Sequence, residues 1–321
     1  MKLVILIPAL NEARTIGQVI DSLPKSLSGI SDIEAVVIND GSTDETVQIA
    51  QYHGAVVVSH PRRMGVGSAF HTGIREALER GADIIVNIDA DGQFDANDIP
   101  KLIEPIQHGT AGFVTASRFA KKEFWPKMPE IKAWGNKWVT RMVNFITQKK
   151  FTDVSCGFRA YSREAALRLT LFGKFTYTQE VFIDLVFKGI EIVEVPLKIR
   201  GQREHGKSRV FIGPWHYATK SATIMFRAAR DYKPFYFIGL PGLVVSAIGL
   251  AVAIFLLIHY LRFGQTAPYR SLVTVSGVLL IIGFLLLVIS LIADMIHRNR
   301  MLIEEHLYLS RKSAYRQPKN N

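Results

Sequence analysis

The chain has 321 residues, with 39 Lys and Arg against 28 Asp and Glu and a net charge of +11, so its expected partners are anionic: phosphates, a membrane surface or nucleic acid. The single cysteine, Cys156, excludes an intrachain disulfide and agrees with a reducing compartment. Nucleic acid drops out of the comparison, because the chain carries no nucleic-acid motif, internal repeat or low-complexity stretch.

In chain order, short β-branched runs alternate with helical patterns. LVILIPAL (3–10) predicts a strand, too short for a signal peptide and running into Pro8 and Asn11-Glu12, with a helix from about Glu12. EAVVIND (34–40) predicts the next strand, with a helix opened by Ser42-Thr43-Asp44; AVVVSH (55–60) leads into the helix GSAFHTGIREALERG. DIIVNIDA (83–90) leads into a helix after Asn97, and GFVTAS (112–117) ends in Arg118. This rhythm predicts an α/β domain with a mostly parallel sheet covered by helices on both faces. Ligands of such sheets sit at the carboxyl ends of the strands, where Asn11, Asp40, Asp89 and Arg118 fall.

Further on, AWGNKWVTRMVNFITQKK (133–150) predicts a helix with Trp134, Trp138, Met142 and Phe145 on one face and Lys137, Arg141 and Lys149 largely away from it. That pattern fits either an interfacial helix on anionic lipid or a helix packed on its own core. Residues 235–261 and 272–296 are almost wholly apolar, each long enough to cross a bilayer, which takes roughly 20 residues. The expected domains are a catalytic domain over 1–212, an interfacial amphipathic helix over 213–233, a transmembrane hairpin over 234–297 and a basic tail over 298–321. Arg and Lys residues before the first span and after the second orient the catalytic domain and tail to the cytoplasmic side of the cell membrane.

The chemistry concentrates in IIVNIDADGQFDANDI (84–99), where Asp89 and Asp91 stand one residue apart with Gln93 two further on. Two carboxylates so close repel, and solvent, a cation or a divalent metal relieves them; a hard metal takes oxygen ligands from carboxylates and amides. PALNE (8–12) reads as a strand end with a helix cap, and NDGSTDET (39–46) as a turn and cap, with Asp40 also placed to accept hydrogen bonds from a ribose or base. The glycines of RRMGVGSAFHTGI fit neither a dinucleotide fingerprint nor a P-loop. The basic residues Arg118, Lys132, Arg203, Lys207 and Arg209 are candidates to meet phosphate, and Gly206 gives the RGQREHGKSRV loop room to fold over a diphosphate.

As a set, PALNE, NDGS-x-D, MG-x-G-x-A-x-x-x-GI, DADGQ, ASRF and SCGFRAYSRE resemble the family-two glycosyltransferases of the GT-A fold. Within these the chain is similar to polyprenyl-phosphate hexose synthases of the dolichyl-phosphate mannose synthase type, from about Lys2 to Arg209. The resemblance implies that Pro8, Leu10, Glu12 and Asp40 frame the nucleoside, that Asp89, Ala90 and Asp91 face the sugar diphosphate, and that Asp91 and Gln93 ligate Mg2+ or Mn2+. Arg118 and Arg203 match motif positions; Asn39, Met64 and Lys132 stand where the family often has Asp, Asn and Arg.

The expected reaction is an inverting transfer of a hexose from a nucleotide diphosphate sugar to polyprenyl (dolichyl) phosphate, with mannose from GDP-mannose first and glucose from UDP-glucose second. A lipid phosphate is already anionic at neutral pH and needs cations, whereas a hydroxyl acceptor needs a base, for which Glu180 is the candidate. The rival from another class is a non-catalytic membrane module binding nucleotide or lipid.

Overall fold

β1 (Lys2–Ala9) forms the centre of the sheet because it offers apolar side chains to both faces: Leu3 to Ile7 are all at most 1% exposed. Burying each such side chain contributes about 1.5–3 kcal/mol. The computed structural model describes residues 1–126, 128–170, 177–200 and 230–315, together with Thr223 and Phe226, and for Lys132 the backbone alone.

β1 pairs in parallel with β2 (Asp32–Asn39) on one side and β4 (Ile84–Asn87) on the other, and β3 (Val56–Ser59) pairs in parallel outside β2. The sheet is completed by β5 (Phe113–Ser117), β6 (Arg159–Ser162) and β7 (Ile192–Pro196), in the order β3-β2-β1-β4-β6-β5-β7. The predicted mostly parallel sheet is present, with two strands the periodicity did not predict: β6 lies antiparallel between β4 and β5, and β7 pairs in parallel outside β5. Two successive antiparallel pairings leave β5 running the same way as β4, so Arg118 shares an edge with the DADGQ segment. β6 begins at that same edge.

The helices between strands are α1 (Ile16–Asp21), α2 (Thr46–Tyr52), α3 (Val66–Glu79), α4 (Ile99–Gln107), α5 (Glu130–Thr147), α6 (Arg163–Arg168) and α7 (Thr178–Phe187). α3 buries Phe70, Gly73, Ile74, Ala77 and Leu78 at helical spacing. Gly73 lets it approach the sheet, since a Cβ there would stand 2.9 Å from Leu6 Cδ1 and 3.3 Å from Ile38 Cγ1. α5 packs inward through Val139, Val143 and Ile146, while Trp134 and Phe145 are 67% and 56% exposed. The expected aromatic face is therefore divided: Trp138 and Met142 are half-buried beside the core stripe, and the other two rings face outward.

Cα packing divides the chain into two units, residues 1–223 with 305–321, and residues 224–304. In the second unit a π-helical turn, Phe235–Gly239, opens α8 (Leu240–Phe263), and α9 (Arg270–Ala314) follows. Both are long and apolar enough to cross a membrane. They pack closely at glycines: a Cβ on Gly242 would lie 2.9 Å from Leu286 Cβ, and one on Gly249 would lie 3.0 Å from Leu279 Cβ. The last turns of α9, from residue 305, belong to the first unit. There Tyr308 Oη donates to Glu164 Oε2 at 2.9 Å, and Arg311 Nη1 donates to the carbonyls of Leu167 and Leu169 at 3.3 and 2.6 Å. The positions assigned from sequence to a basic tail are thus helical through Ala314. Of the interfacial helix expected over 213–233, all but Thr223, Phe226 and 230–233 lies outside the described residues.

Candidate active site at the carboxyl edge of the sheet

The loops that leave β1 and β2 are joined by hydrogen bonds from one loop to the other. Asn11, in the left-handed region at φ 51°, accepts from Thr43 N at 2.7 Å and donates its own amide to Ser42 Oγ at 2.8 Å. Glu12 N donates to Thr46 Oγ1 at 2.8 Å and Ala13 N to Asp44 Oδ2 at 3.3 Å. Burial pushes Asp44 upward, but hydrogen bonds from the Thr46 hydroxyl and amide and from Ala13 outweigh it, and the carboxyl lies below the usual carboxylate range. Pro8 and Leu10 are half-buried where β1 ends.

Asp40 is buried, 5% exposed, and its carboxylate accepts from Met64 N (2.7 Å), Gly65 N (2.8 Å) and faces His60 Nδ1 (2.9 Å). It therefore pins the loop that opens α3, and a nucleoside hydroxyl would share this carboxylate with three protein partners. The loop crosses directly over Gly41, at φ +77°, where a Cβ would lie 2.7 Å from the backbone of Arg62 and Arg63. Asn39 braces the same turn, since its Oδ1 accepts from Ser42 N at 2.8 Å and its Nδ2 donates to Ser59 Oγ at 3.0 Å.

β4 ends at Asn87, so the acidic pair sits beyond the strand in a turn, and strand alternation does not order it. Thr15 Oγ1 donates to Ala90 O at 2.7 Å in a buried contact that ties α1 to this turn. Gly92, at φ +72°, completes the reversal. Asp91 is 2% exposed, and its Oδ1 accepts from Gln93 N at 3.1 Å. Gln93 donates Nε2 to Arg200 O at 3.0 Å, which places its Oε1 on the opposite end of the amide.

Among the described residues no group of three or more His, Cys, Asp or Glu forms an all-protein metal cage. Two carboxylates and one carboxamide are hard oxygen donors, and this set fits a Mg2+ or Mn2+ ion that fills the rest of its shell from water and a diphosphate.

Across from the turn, Arg118 leaves β5 and its guanidinium forks onto Asp153, with Nε to Oδ2 at 2.6 Å and Nη2 to Oδ1 at 2.9 Å. Asp153 is fully buried. Its amide donates to Glu194 Oε1 at 2.8 Å, and Thr152 N donates to both Glu194 oxygens. Burial holds the Glu194 carboxyl above the usual range, against the pull of these amide hydrogen bonds, and nearby Asp153 adds to the rise. Asn136 of α5 donates to Asp153 Oδ1 at 3.4 Å and accepts from Ser155 Oγ. Lys132 lies one turn before Asn136 in α5, and its side chain is outside the described residues, as are Arg203, Lys207 and Arg209.

The loop 153–158 carries this arrangement into β6. Arg159, fully buried, donates Nε to Cys156 O at 2.6 Å and Nη2 to Val154 O at 3.1 Å, with its guanidinium 5.2 Å from the Phe182 ring centre. Gly157 faces the acidic pair: a Cβ there would lie 3.1 and 3.3 Å from the two carboxylate oxygens of Asp89. Cys156 is inert, since burial pushes its thiol up to about 12. One loop thus contacts both the residue expected at the diphosphate and the residue expected at the acceptor.

Sequence reasoning missed Asp153, Gly157, Thr15 and Glu194. Two of them flank Cys156 in FTDVSCGFR, just ahead of or within a motif already singled out, but nothing local says that Asp153 meets Arg118.

Residues 4–170 match the profile of glycosyl transferase family 2. In sequence the chain is similar to an undecaprenyl-phosphate mannosyltransferase of Micrococcus luteus, 29% identical over 246 residues that cover 72% of this chain and 96% of that protein. It is also similar to a UDP-N-acetylglucosamine–dolichyl-phosphate N-acetylglucosaminyltransferase of Methanococcus voltae, 29% identical over 214 residues, 60% of this chain and 84% of that one. In structure it is similar to glucosyl-3-phosphoglycerate synthase of Mycobacterium tuberculosis, crystallised with Mn2+, UDP-glucose and phosphoglyceric acid, at a TM-score of 0.54 and 23% identity over 70% of this chain and 79% of that one. That likeness is one of fold, and the fold is GT-A. With the family profile spanning 4–170 of 321 residues and its strand-end motifs gathered on one edge, the chain belongs to glycosyl transferase family 2.

Proposed function

We propose that this glycosyltransferase moves a hexose, mannose from GDP-mannose in the first instance, onto a polyprenyl phosphate at the cytoplasmic face of the cell membrane. The observation that carries the reading is the 152–158 loop, whose Gly157 abuts Asp89 and whose Asp153 grips Arg118. A donor diphosphate and an anionic acceptor meet across that loop. The names of the Micrococcus and Methanococcus relatives, both polyprenyl-phosphate transferases, support the lipid phosphate, and α8 with α9 supplies a membrane anchor.

In this mechanism an ionised phosphate oxygen of the lipid attacks the anomeric carbon, and the bond from that carbon to the nucleoside diphosphate breaks, inverting the centre. No proton has to be removed from the nucleophile, since the second pKa of a phosphate monoester is about 6. Asp91 and Gln93 would hold a Mg2+ or Mn2+ ion, which when bound offsets charge on the departing diphosphate. Asp89 stays beside the sugar diphosphate, kept there by the wall of Gly157. Arg118, aligned by Asp153, faces the acceptor phosphate, with Lys132 one helical turn from Asn136. Pro8, Leu10, Glu12 and Asp40 frame the nucleoside, and Arg203, Lys207 and Arg209, outside the described residues, are assigned to the nucleotide sugar.

A second reading, a UDP-sugar donor, is favoured by the Methanococcus relative, whose name carries UDP-N-acetylglucosamine. Both are tested by incubating the full chain in lipid-containing detergent with GDP-mannose, UDP-glucose and UDP-N-acetylglucosamine, each with polyprenyl phosphate or the matching polyprenol. Labelled lipid from GDP-mannose and polyprenyl phosphate is expected. Product from UDP donors alone replaces mannose with the second reading, and equal transfer to the neutral alcohol removes the phosphate acceptor and turns attention to Glu180.

A further inference from the structure

A cavity of about 270 Å3 lies between α3, α6 and the end of α9, all within the first unit. None of the residues of the sheet-edge site lines it. Its polar lining is His71, Thr72, Arg75, Arg311 and Tyr315, and the remaining wall is apolar, with no carboxylate among the lining residues.

The cationic charge there is weakly compensated. Arg311 uses Nη1 on the carbonyls of Leu167 and Leu169 and forms no ion pair among the described residues. Arg75 reaches Glu79 only at 3.8 Å, on the exposed surface of α3. His71 stands at the open side of the hollow, and partial desolvation, with the Arg311 charge after it, holds its imidazole below its ordinary range. The Thr72 hydroxyl is fixed by His60 Nε2 at 2.9 Å. Two guanidinium groups and an imidazole around a small, partly apolar hollow offer N–H donors of the kind that phosphate oxygens accept from.

We propose that this cavity binds a phosphate-class anion, and that the site is complete only with the end of α9 docked, because Arg311 and Tyr315 come from that helix. The anion is a soluble phosphate or the headgroup of an anionic lipid. The proposal is independent of the sugar-transfer reading, and its test needs no turnover.

The full chain, labelled with 13C-histidine, is reconstituted in phosphatidylcholine nanodiscs and titrated with inorganic phosphate at constant ionic strength. His71 is assigned by His71→Gln. Phosphate should move the His71 resonance saturably and raise its pKa, since a neighbouring anion favours the imidazolium. Arg75→Gln, a change on α3, should weaken half-saturation about tenfold, the loss of one charge-assisted hydrogen bond. Arg311→Gln should weaken it at least as much.

Phosphatidylglycerol nanodiscs separate the sources. A His71 resonance already at its bound position, and no longer moved by phosphate, identifies a lipid headgroup; an unchanged titration identifies a soluble anion. A resonance that phosphate does not move in phosphatidylcholine and that has the same position in phosphatidylglycerol overturns the proposal, as does half-saturation unaltered in both variants, because the phosphate would then be bound elsewhere.

Discussion

On the β1–β2 side of the sheet edge, Asp40 is held by the amides of Met64 and Gly65 and by His60, and Asp44 by its near neighbour Thr46 and by Ala13. On the β5 side, Asp153 is held by the guanidinium of Arg118, 35 residues away, and the loop behind it by Glu194, 41 residues away. The first arrangement depends mostly on backbone donors that no side-chain substitution removes. The second depends on a buried charge pair that one substitution breaks. The β1–β2 side should therefore tolerate change, and the β5 side should fail at single residues.

The largest effect is expected where the two sides meet. Asp91→Asn should lower kcat by about 100- to 1000-fold and abolish the response to divalent metal, measured by initial rates across a metal titration. A variant that turns over at the wild-type rate in chelator would remove Asp91 from the metal site.

Next, Asp153→Ala should destabilise the catalytic unit by about 3 kcal/mol, because Arg118 is left partly buried without its carboxylate. That corresponds to a fall in Tm of about 6–12 °C, readable by thermal unfolding. Asp40→Asn keeps an oxygen for one of the two loop amides and turns an NH2 to the other, a loss of about one buried hydrogen bond, so its Tm should fall by clearly less; equal losses would erase the contrast between the two sides.

Arg118→Ala should raise the acceptor KM by about tenfold to a hundredfold and leave the donor KM nearly unchanged. A donor effect of the same size would place Arg118 on the diphosphate instead. Gly157→Ala is a finer probe. Its Cβ would stand 3.1 Å from Asp89 Oδ2, a side chain that can rotate away, so the donor KM should rise by about severalfold while Tm hardly moves. An unchanged donor KM would mean that Asp89 does not need the position it holds.

The smallest effect concerns pH. The carboxyl of Asp44 lies lower in the folded chain than the ordinary value of about 3.9, so its contribution to stability is present above that pH and is lost as pH falls through the folded value. Asp44→Asn should therefore lower Tm at pH 7 and converge with wild type in strong acid. A constant gap down to the lowest pH would assign the effect to something other than ionisation.

Much of this edge was legible as a sequence. The alternation of β-branched runs and helical patterns placed β1 to β5, and the polar residues ending them, before any contact was known. The capping residue types at Asn11 and Ser42 to Thr46 were legible, but Asn11 spends its side chain on the other loop, where its Oδ1 accepts from Thr43 N, and among these side chains only the Asp44 to Thr46 contact is local. What local chemistry did not reveal was competition for the same groups: Asp40 looks like a ligand-binding residue, yet much of its hydrogen-bonding capacity goes to the loop that opens α3. The aromatic face drawn for α5 divided for a similar reason, because the stripe Val139, Val143 and Ile146 turned to the core and carried the helix round with it.

The sequence by itself determined the α/β class, the two long apolar helices, the basic balance of the chain and the motif set that marks its family, since each depends on spacings of a few residues or on composition. Tertiary structure decided that β6 enters between β4 and β5, and with it that Asp153 reaches Arg118 and that Gly157 reaches Asp89. It also decided that the end of α9 closes a cationic cavity against α3 and α6. The physical reason is distance along the chain: periodicity reports which face of an element is apolar, whereas the partner of a buried charge is chosen by strand order and helix packing, which only the assembled sheet sets.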